Sequence, residues 1–489
     1  MNSIDRTDRY CIIGAGASGL AVAKNFVQRG IPFDCLEREQ DIGGLWNFAT
    51  ESGIVYETTH LVSSITSTGF DDLPMLDTDY PEYPSHERVL GYFRDFVSTF
   101  ALAPHIELGK VVTKVAPRGD KLWEVAIAGE TPPRLYRGVI VASGHHDAPR
   151  MPTYPGTFTG ETLHSRRYKS PKQVRDRRVL VVGCGNSAAD IVSDAVHNRS
   201  QVFLSIRRGY WFVPKFIMGF PTGDVLSTVE MIPLPRLVKR WLFQGSLWLL
   251  QGPPSRYRMP DPDYAIDQAH PTMTDEIPRL VAHGKLTVKP DIASLDGDRV
   301  LFKDGTAETI DTIVFATGYR PVIPFMDESL VFAANGAPRL HLNVVHPDHE
   351  GLFAAGLAQA NGSMWRLADY QGQFIANLIV AGQHAPDRAR QFRELLAAGG
   401  RNARVHGVVA SDRHRLEVNY YDYRRLLKRL MRRFGPVRKM KLELPRLPSR
   451  NFAASGISGT QGANRGAEAQ ALDTGSRADA LGRHDKAQR

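Results

Sequence analysis

The sequence predicts an α/β fold built on two parallel β-sheets, because two glycine-rich motifs each connect an apolar strand to a helix. The first follows the apolar run 10–13 and reads Gly14-Ala15-Gly16-Ala17-Ser18-Gly19. The second follows the apolar run 179–182 and reads Gly183-Cys184-Gly185-Asn186-Ser187-Ala188. Helices are expected from about Ser18 to Gly30 and over 187–198. In both places a second strand follows the helix, which completes the β–α–β unit that gives such a motif its meaning. We therefore expect two Rossmann-like dinucleotide-binding domains.

The first motif is expected to hold the diphosphate of a dinucleotide. Gly14 permits a tight turn, Gly16 lets the diphosphate approach the backbone, and Gly19 lets the helix pack closely on the strand. The helix begins within the motif, and its N-terminus attracts phosphate oxygens. Glu37 ends the second strand and suits a carboxylate that bonds to ribose hydroxyls. Because a carboxylate repels a 2′-phosphate, this site is expected to prefer FAD or NAD over NADP.

The second motif is expected to bind NADPH. Its loop, residues 183–187, would contact the diphosphate, and Ala188 replaces the third glycine, which the pattern tolerates. The end of its second strand carries Ser205, Arg207 and Arg208 and no acidic residue. Arginine forms planar bidentate bonds with phosphate oxygens, so this strand end favours the 2′-phosphate of NADPH over NADH.

Length and composition indicate a multidomain globular protein. The 489 residues exceed the ~250–300 that a single core usually supports, and 42% are apolar. No apolar run reaches the ~20 residues that cross a bilayer. No secretory leader precedes the first strand, so a cytoplasmic location is expected. The three cysteines lack a CxxC pair, which indicates buried structural thiols, and no motif with metal-ligand spacing occurs.

The net charge of +9 lies largely in a run of lysines and arginines between residues 424 and 441. Nucleic acid or an anionic membrane could use such a run. Because no nucleic-acid module accompanies it, a solvated helix face is the favoured interpretation and no nucleic-acid partner is expected. After about Leu447 the chain is rich in Gly, Ala, Ser and Arg, and we expect this tail to be disordered.

The segment from about 210 to 275 departs from the alternation of strands and helices. It contains an amphipathic helix over 237–250 that carries Trp241 and Trp248. Such a helix can lie on a membrane surface. Its polar face has few lysines and arginines, so a lid or inserted helix that packs on the nucleotide domain is favoured over peripheral membrane contact.

A further motif, F-x-G-x-x-x-H-x-x-x-Y, extends from Phe158 to Tyr168, between the two glycine motifs. The string, in this position, resembles the identifying motif of the flavin-containing monooxygenases. The resemblance extends from about Tyr10 to about Leu430. Other segments resemble parts of the family that bind the flavin or pass beneath the cofactor: Gly44-Leu45-Trp46, Thr317-Gly318, and 369–371 with Gln371.

This resemblance implies an FAD domain that is formed by both ends of the chain and interrupted by an NADPH domain. The expected ranges are 1–170 and 311–445 for the FAD domain, 171–310 for the NADPH domain with a helical insertion at about 215–275, and 446–489 for the tail. It also implies that NADPH reduces FAD and that the reduced flavin and O2 form a C4a-hydroperoxyflavin. A soft nucleophilic nitrogen or sulfur of a small, largely apolar substrate then takes one oxygen atom.

Two other reactions stay open. Related Baeyer–Villiger enzymes usually carry tryptophan where this motif ends in Tyr168, so oxygenation of nitrogen or sulfur is favoured over oxygenation of a ketone. An NADPH–flavin oxidoreductase or electron carrier without oxygen insertion would have the same two-nucleotide architecture. The oligomeric state is open as well, with a homo-oligomer among the alternatives.

One segment departs from the family pattern. Many members have an asparagine near the flavin, before a segment that ends in F-x-D-x-P, whereas the stretch 56–64 of this chain has none. Depending on the placement of gaps, His60, Val62 or Ser63 occupies the position. A histidine there resembles a branch of the family of which some members oxidise ketones. His60 is therefore the candidate catalytic residue, as a hydrogen-bonding group beside the flavin, and a packing role is the alternative.

Overall fold

Two β-sheets organise the fold, one mixed with a parallel part and one entirely parallel, and each contains one glycine motif. The computed structural model describes residues 3–75, 80–119, 121–399 and 416–433. The helices are α1 (Ala17–Val27), α2 (Ile65–Thr68), α3 (His86–Thr99), α4 (Asn186–His197), α5 (Thr222–Met231), α6 (Arg236–Gln251), α7 (Glu276–Ala282), α8 (Glu328–Val331), α9 (Met364–His384), α10 (Pro386–Gly399) and α11 (Tyr420–Arg433).

The longest strands belong to the first of the two main sheets, and many strands outside these sheets have only two residues. The strands are β1 (Ile4–Ile13), β2 (Phe33–Leu36), β3 (Ile106–Glu107), β4 (Val112–Arg118), β5 (Leu122–Ile127), β6 (Arg134–Val141), β7 (Ala148–Pro149), β8 (Gly156–Phe158), β9 (Glu161–His164), β10 (Arg178–Val182), β11 (Gln201–Ser205), β12 (Phe212–Val213), β13 (Phe216–Ile217), β14 (Phe220–Pro221), β15 (Thr272–Met273), β16 (Leu286–Lys289), β17 (Ile292–Gly297), β18 (Arg299–Phe302), β19 (Ala307–Thr309), β20 (Thr312–Phe315), β21 (Tyr319–Arg320), β22 (Leu352–Ala354), β23 (Gln359–Ala360) and β24 (Glu417–Val418).

The first sheet joins both ends of the chain. Its parallel strands have the order β3-β2-β1-β6, and β22 pairs with the far side of β6 in the same direction. Strands β4 and β5 extend β6 as an antiparallel meander. The end of β1, from Cys11 to Ile13, is buried, as expected of a parallel strand covered on both faces. Helices α1 and α9 pack against each other beside this sheet.

The second sheet carries the other glycine motif. Its order is β16-β11-β10-β20-β9, and every pair is parallel. Strands β9 and β20 lie outside the range 171–310 that the sequence analysis assigns to the second domain. They nevertheless extend this sheet, because β20 pairs along β10 and β9 pairs along β20. Sheet pairing thus extends past both expected boundaries, and the division into domains stays a prediction.

The helices of the two glycine motifs lie close to their predicted positions. Helix α4 spans 186–197 against the predicted 187–198, and α1 ends at Val27 rather than at Gly30. The earlier end follows from Gly30, which has a left-handed φ of 64° and lets the Ile31 N–H bond to the Phe26 carbonyl at 3.0 Å.

The inserted helix α6 is packed on one side only. Leu247 is buried, and Phe243 packs on the same cluster, which includes Trp211 and Val213. The rest of its large apolar side chains, Trp241 among them, are exposed. The expected packing on the nucleotide domain is therefore limited to one face. Among the helices of the described ranges, none is long and apolar enough to span a membrane.

Burial confirms the expectation for the cysteines. Cys11, Cys35 and Cys184 are buried free thiols, and desolvation raises the pKa of Cys11 and of Cys35. The described part of the basic run lies on α11, which buries Leu427 and exposes Arg429, and the role of this basic face stays a prediction. The rest of that run and the predicted disordered tail, 446–489, lie outside the described residues.

A buried ion-pair network ties α1 to α9. Lys24, on α1, has no exposed surface, and its Nζ lies 2.5 Å from a carboxylate oxygen of Asp369 on α9. The same nitrogen lies 2.7 Å from Asp72, and the Asn25 amide donates to Asp369 at 2.7 Å. Because removal of one partner leaves an uncompensated buried charge, such a pair is sensitive to single substitutions.

We expect Lys24→Met to lower the free energy of unfolding by about 3–5 kcal/mol, because the Asp369 carboxylate loses its buried cation. Denaturant unfolding followed by circular dichroism measures the change. The matched control is Arg94→Met, which breaks the exposed pair with Asp41 and should cost less than about 1 kcal/mol. Equal losses in the two variants would contradict this account of the network.

Candidate functional site

The first glycine motif turns sharply between β1 and α1. Gly14 has a φ of 104°, and a Cβ there would lie 2.8 Å from the carbonyl oxygen of Ala142. A Cβ at Gly19 would lie only 1.8 Å from the Gly14 carbonyl oxygen. Helix α1 begins at Ala17 with Gly16 as its N-cap. The turn therefore requires glycine, and it leaves the first backbone N–H groups of α1 available to a ligand.

Glu37 lies beside this turn. It is buried at the end of β2, and one carboxylate oxygen accepts the Ala15 N–H at 2.6 Å. The other accepts the Glu39 N–H at 3.0 Å. Burial raises the pKa of Glu37, whereas these two N–H groups lower it. The carboxylate is thus fixed next to the glycine turn, where a bound nucleotide would present its ribose.

The distant parts of the predicted first site meet at the same place. A Cβ at Gly44 would lie 3.2 Å from the Cα of Gly16, so the two glycines face each other closely. Gly44, Leu45 and Trp46 form one 3-10 turn. A Cβ at Gly356 would lie 2.1 Å from the Ser18 hydroxyl oxygen, and the Gly356 N–H donates to the Gln371 amide oxygen at 2.8 Å. The structure thus brings the predicted first-site residues together, and the glycine cradle fits a flavin nucleotide.

The second glycine motif opens into a cavity of about 470 Å³. Gly183 has a φ of 114°, and a Cβ there would lie 2.5 Å from the Ala316 carbonyl oxygen. Predicted second-site residues that line the cavity are Gly183, Gly185, Asn186, Ser187, Ser205, Arg207, Arg208, Thr317 and Gly318. Ala188 is not among them, because it is fully buried between α4 and the sheet.

The arginines stand at the end of β11, as the sequence predicts. The Arg208 guanidinium lies 5.5 Å from the ring centre of Tyr264 and 5.9 Å from that of Tyr210, which limits its orientation. The Ser205 hydroxyl donates to the Pro290 carbonyl at 2.9 Å. Two cations on the wall of a cavity that also contains a helix N-terminus suit a dinucleotide with an additional phosphate.

His164 supports the wall of this cavity from behind. Its Nδ1 accepts the Arg166 N–H at 3.1 Å, so Nε2 carries the proton and donates to the Gly318 carbonyl at 3.2 Å. Burial lowers the pKa of His164, which keeps the ring neutral. The Thr317 hydroxyl donates to the Arg150 carbonyl. The histidine of the F-x-G-x-x-x-H-x-x-x-Y motif thus holds a cavity loop in place.

The glycine and the tyrosine of that motif also have structural roles. A Cβ at Gly160 would lie 2.6 Å from the Asp311 carbonyl oxygen, just before β20. Tyr168 is fully buried, and its hydroxyl donates to Asp194 of α4 at 2.9 Å. The motif therefore fixes β20 and α4, which both reach the second cavity.

The structure does not bring His60 into this cavity. Its side chain is exposed, and Nδ1 lies 2.9 Å from the Thr58 carbonyl oxygen. Val62 and Ser63 are half-buried, and the Ser63 hydroxyl lies 2.6 Å from that of Thr68. A catalytic role for His60 stays a prediction.

Several cavity residues were not predicted from the sequence. They are His145, His146, Tyr154, His270, Asp291, Tyr319, Gln359 and Leu416. His145 and His146 follow the carboxyl end of β6, a position that a parallel sheet uses for ligands, so this signal was present in the sequence. Burial lowers the pKa of His145 to about 4, so its imidazole is neutral near pH 7. Gln359 and Asp291 belong to no local motif.

Within the described ranges, no group of three or more His, Cys, Asp or Glu side chains could hold a metal ion. The cavity is lined by residues of the second sheet and its glycine motif, such as Gly183. It is also lined by His145 and Gln359, which follow strands β6 and β22 of the first sheet in the chain. A ligand in the cavity would thus reach from the second glycine motif towards the first sheet.

Comparisons with known proteins place this architecture in one family. The family model described as flavin-binding monooxygenase-like matches residues 7–454. The chain is 32% identical over 444 residues to dimethylaniline monooxygenase [N-oxide-forming] 2 of Cavia porcellus, covering 85% of this chain and 81% of the relative.

Solved structures show the same fold. The crystal structure of OTEMO in complex with FAD and NADP has a TM-score of 0.64 at 17% identity, covering 86% of this chain and 97% of that one. S-allyl-L-cysteine S-oxygenase from Allium sativum has a TM-score of 0.60 at 20% identity, with coverages of 88% and 89%. Since the family model matches most of the chain, the protein belongs to the flavin-binding monooxygenase-like family and is an FAD- and NADP-dependent monooxygenase.

Proposed function

We propose that the enzyme uses NADPH and O2 to insert one oxygen atom into a nucleophilic nitrogen or sulfur of a small, largely apolar substrate. The observation that carries the proposal is the shared cavity. Its lining includes Arg207, Arg208 and the Gly183 loop together with His145 and Gln359, which follow strands β6 and β22 of the first sheet in the chain. A reductant held by the arginines would therefore extend towards the flavin site.

The choice of nitrogen or sulfur rests on the relatives and on one residue. Curated relatives about as similar as the Cavia porcellus protein carry the name dimethylaniline monooxygenase [N-oxide-forming] 2. Tyr168 ends the motif where Baeyer–Villiger enzymes usually have tryptophan, and here it is buried against α4. Ketone oxygenation is the alternative outcome of the tests below.

Each site would contribute binding and orientation. FAD, when bound, supplies the redox chemistry and the activation of O2. The Gly14 turn and the N-terminus of α1 would hold its diphosphate, and Glu37 would accept ribose hydroxyls. At the second site the N-terminus of α4 would hold the diphosphate of NADPH and the arginines its 2′-phosphate. Neutral His145 adds a hydrogen-bonding group to the cavity without adding charge.

The reaction type is tested by competition. The FAD-loaded enzyme receives NADPH, O2 and an equimolar mixture of a tertiary amine, a dialkyl sulfide and a cyclic ketone, and the products are separated by mass spectrometry. We expect N-oxide and sulfoxide to exceed lactone, with NADPH consumption matched by product. Lactone as the main product would assign ketone chemistry instead, and hydrogen peroxide alone would refute oxygen insertion.

We expect the double substitution Arg207→Gln and Arg208→Gln to raise the KM for NADPH by about ten- to a hundredfold and to leave the KM for NADH nearly unchanged. The reason is the loss of charge-assisted hydrogen bonds to the 2′-phosphate, worth about 1.5–3 kcal/mol. Steady-state kinetics with both coenzymes measures the effect. Arg199→Gln, at an exposed ion pair with Asp176 at the other end of α4, is the matched control. A parallel rise for NADPH and NADH would argue against a 2′-phosphate role.

Glu37→Ala is expected to raise the dissociation constant of FAD at least tenfold, because the ribose and the Ala15 N–H lose their acceptor. Release of FAD, followed by its fluorescence, gives this constant, and binding of NADP⁺ to the second site should be unchanged. The control is Glu87→Gln on the exposed side of α3. Normal FAD retention by Glu37→Ala would remove Glu37 from the site.

A further inference from the structure

His145 has two hydrogen-bonding atoms that the described protein leaves unpaired. Both of its ring nitrogens are buried, and neither has a hydrogen-bond partner among the described residues. Burial lowers the pKa of His145 to about 4, so the neutral ring has one N–H donor and one acceptor nitrogen near pH 7. Buried polar groups are nearly always paired in folded proteins. Because His145 also lines the cavity of the second motif, its unpaired nitrogens point to a ligand that bonds to the ring.

The strand order of the second sheet shows where in the cavity His145 lies. Strand β11 lies on one side of β10 and β20 on the other. The two cavity arginines follow β11, the Gly183 turn follows β10, and Tyr319 follows β20. The ring of His146 packs on that of Tyr319 with 5.3 Å between the ring centres, and the ring of His145 lies 4.2 Å from that of His146. His145 is therefore on the β20 side of the Gly183 turn, and the arginines are on the β11 side.

A coenzyme that binds across this edge would bring its nicotinamide half to His145. The 2′-phosphate is part of the adenosine half, which suits the arginines, and the diphosphate suits the N-terminus of α4 after β10. Since a dinucleotide lies across the carboxyl edge of such a sheet, the half beyond the diphosphate reaches the β20 side. The backbone of Gly356 is close enough to His145 to oppose the lowering of its pKa. Gly356 contacts Ser18 and bonds to Gln371, so the first site begins next to His145.

We propose that His145 binds the carboxamide of the nicotinamide and thereby orients the nicotinamide ring. The inference rests on the proposed binding of NADPH at the second glycine motif. The terminal torsion of a histidine side chain is soft, so a rotation of the ring lets its N–H donate to the Gly356 carbonyl and turns the other nitrogen to the cavity. That nitrogen accepts a hydrogen bond, and the carboxamide N–H₂ group donates one. The bond fixes the face that the nicotinamide presents to the first site.

The test is the dissociation constant of three ligands for the full-length, FAD-loaded enzyme, by isothermal titration calorimetry. The ligands are NADP⁺, its 3-acetylpyridine analogue, in which a methyl group replaces the carboxamide N–H₂, and 2′-phospho-ADP-ribose, which lacks the nicotinamide ring. We expect the wild-type enzyme to bind NADP⁺ about five- to tenfold more tightly than the analogue, since the analogue lacks the hydrogen-bond donor. His145→Leu should weaken NADP⁺ by the same factor, bind the analogue as tightly as NADP⁺, and leave the binding of 2′-phospho-ADP-ribose unchanged.

Two further variants separate this bond from a packing role. His145→Gln should restore the preference for NADP⁺ over the analogue, because the glutamine amide oxygen accepts the carboxamide N–H₂ in place of the ring nitrogen. His197→Leu is the matched control. His197 is exposed in the last turn of α4, at the opposite end of this helix from the glycine motif, and its replacement should change none of the three constants. The absorbance of bound FAD and the thermal midpoint show whether each variant is folded.

Equal weakening of NADP⁺ and the analogue by His145→Leu would overturn the proposal, and it would assign the bond to the nicotinamide ribose or the effect to packing. A wild-type enzyme that binds both ligands alike would overturn it too. So would a His145→Leu variant that keeps its affinity for NADP⁺ and loses affinity for FAD, which would place the imidazole at the flavin. Failure of the proposed NADPH site is distinguishable, because the double substitution Arg207→Gln and Arg208→Gln would then leave the binding of 2′-phospho-ADP-ribose unchanged.

Discussion

Both nucleotide sites depend on the same close approach between a glycine and the end of a neighbouring strand. The Cβ that Gly14 lacks would lie 2.8 Å from the Ala142 carbonyl oxygen, and the one that Gly183 lacks would lie 2.5 Å from that of Ala316. Any other residue would force the turn away from the adjacent strand and would strain the backbone, since both glycines have a left-handed φ. This contact places the N-termini of α1 and α4 at the carboxyl edges of their sheets, where phosphate groups bind.

The two sites differ where the second strand of each unit ends. At the first, a buried Glu37 is held by the backbone of the turn itself. At the second, Arg207 and Arg208 face a cavity, and aromatic rings limit the orientation of Arg208. A negative group at one strand end and two positive groups at the other support binding of different nucleotides by the same backbone geometry. His164 supports the second site, because its Nε2–H donates to the carbonyl of Gly318, which lines the cavity.

Local patterns in the sequence predicted the parts of the fold that depend on local physics. The glycine turns, the helices after them and the residues at the strand ends all follow from near neighbours in the chain. The pairing of strands that are distant in the chain is harder to predict from local patterns. Strand β20 is followed by small residues much as β6 is, yet β6 belongs to the first sheet and β20 pairs with β10 of the second. The amphipathic pattern of α6 defined an apolar face without showing that this face points to solvent. The prediction for His60 rests on a family position, whereas its exposure is a property of the folded chain, in which His60 forms a β-bridge with Ser85.

One backbone arrangement, used twice, is expected to hold FAD at the first glycine motif and NADPH at the second. A crystal structure of the enzyme with FAD and NADP⁺ tests this most directly. We expect FAD ribose hydroxyls within hydrogen-bond distance of Glu37 and the 2′-phosphate of NADP⁺ between the guanidinium groups of Arg207 and Arg208. A 2′-phosphate held elsewhere, or FAD in the cavity of the second motif, would contradict it.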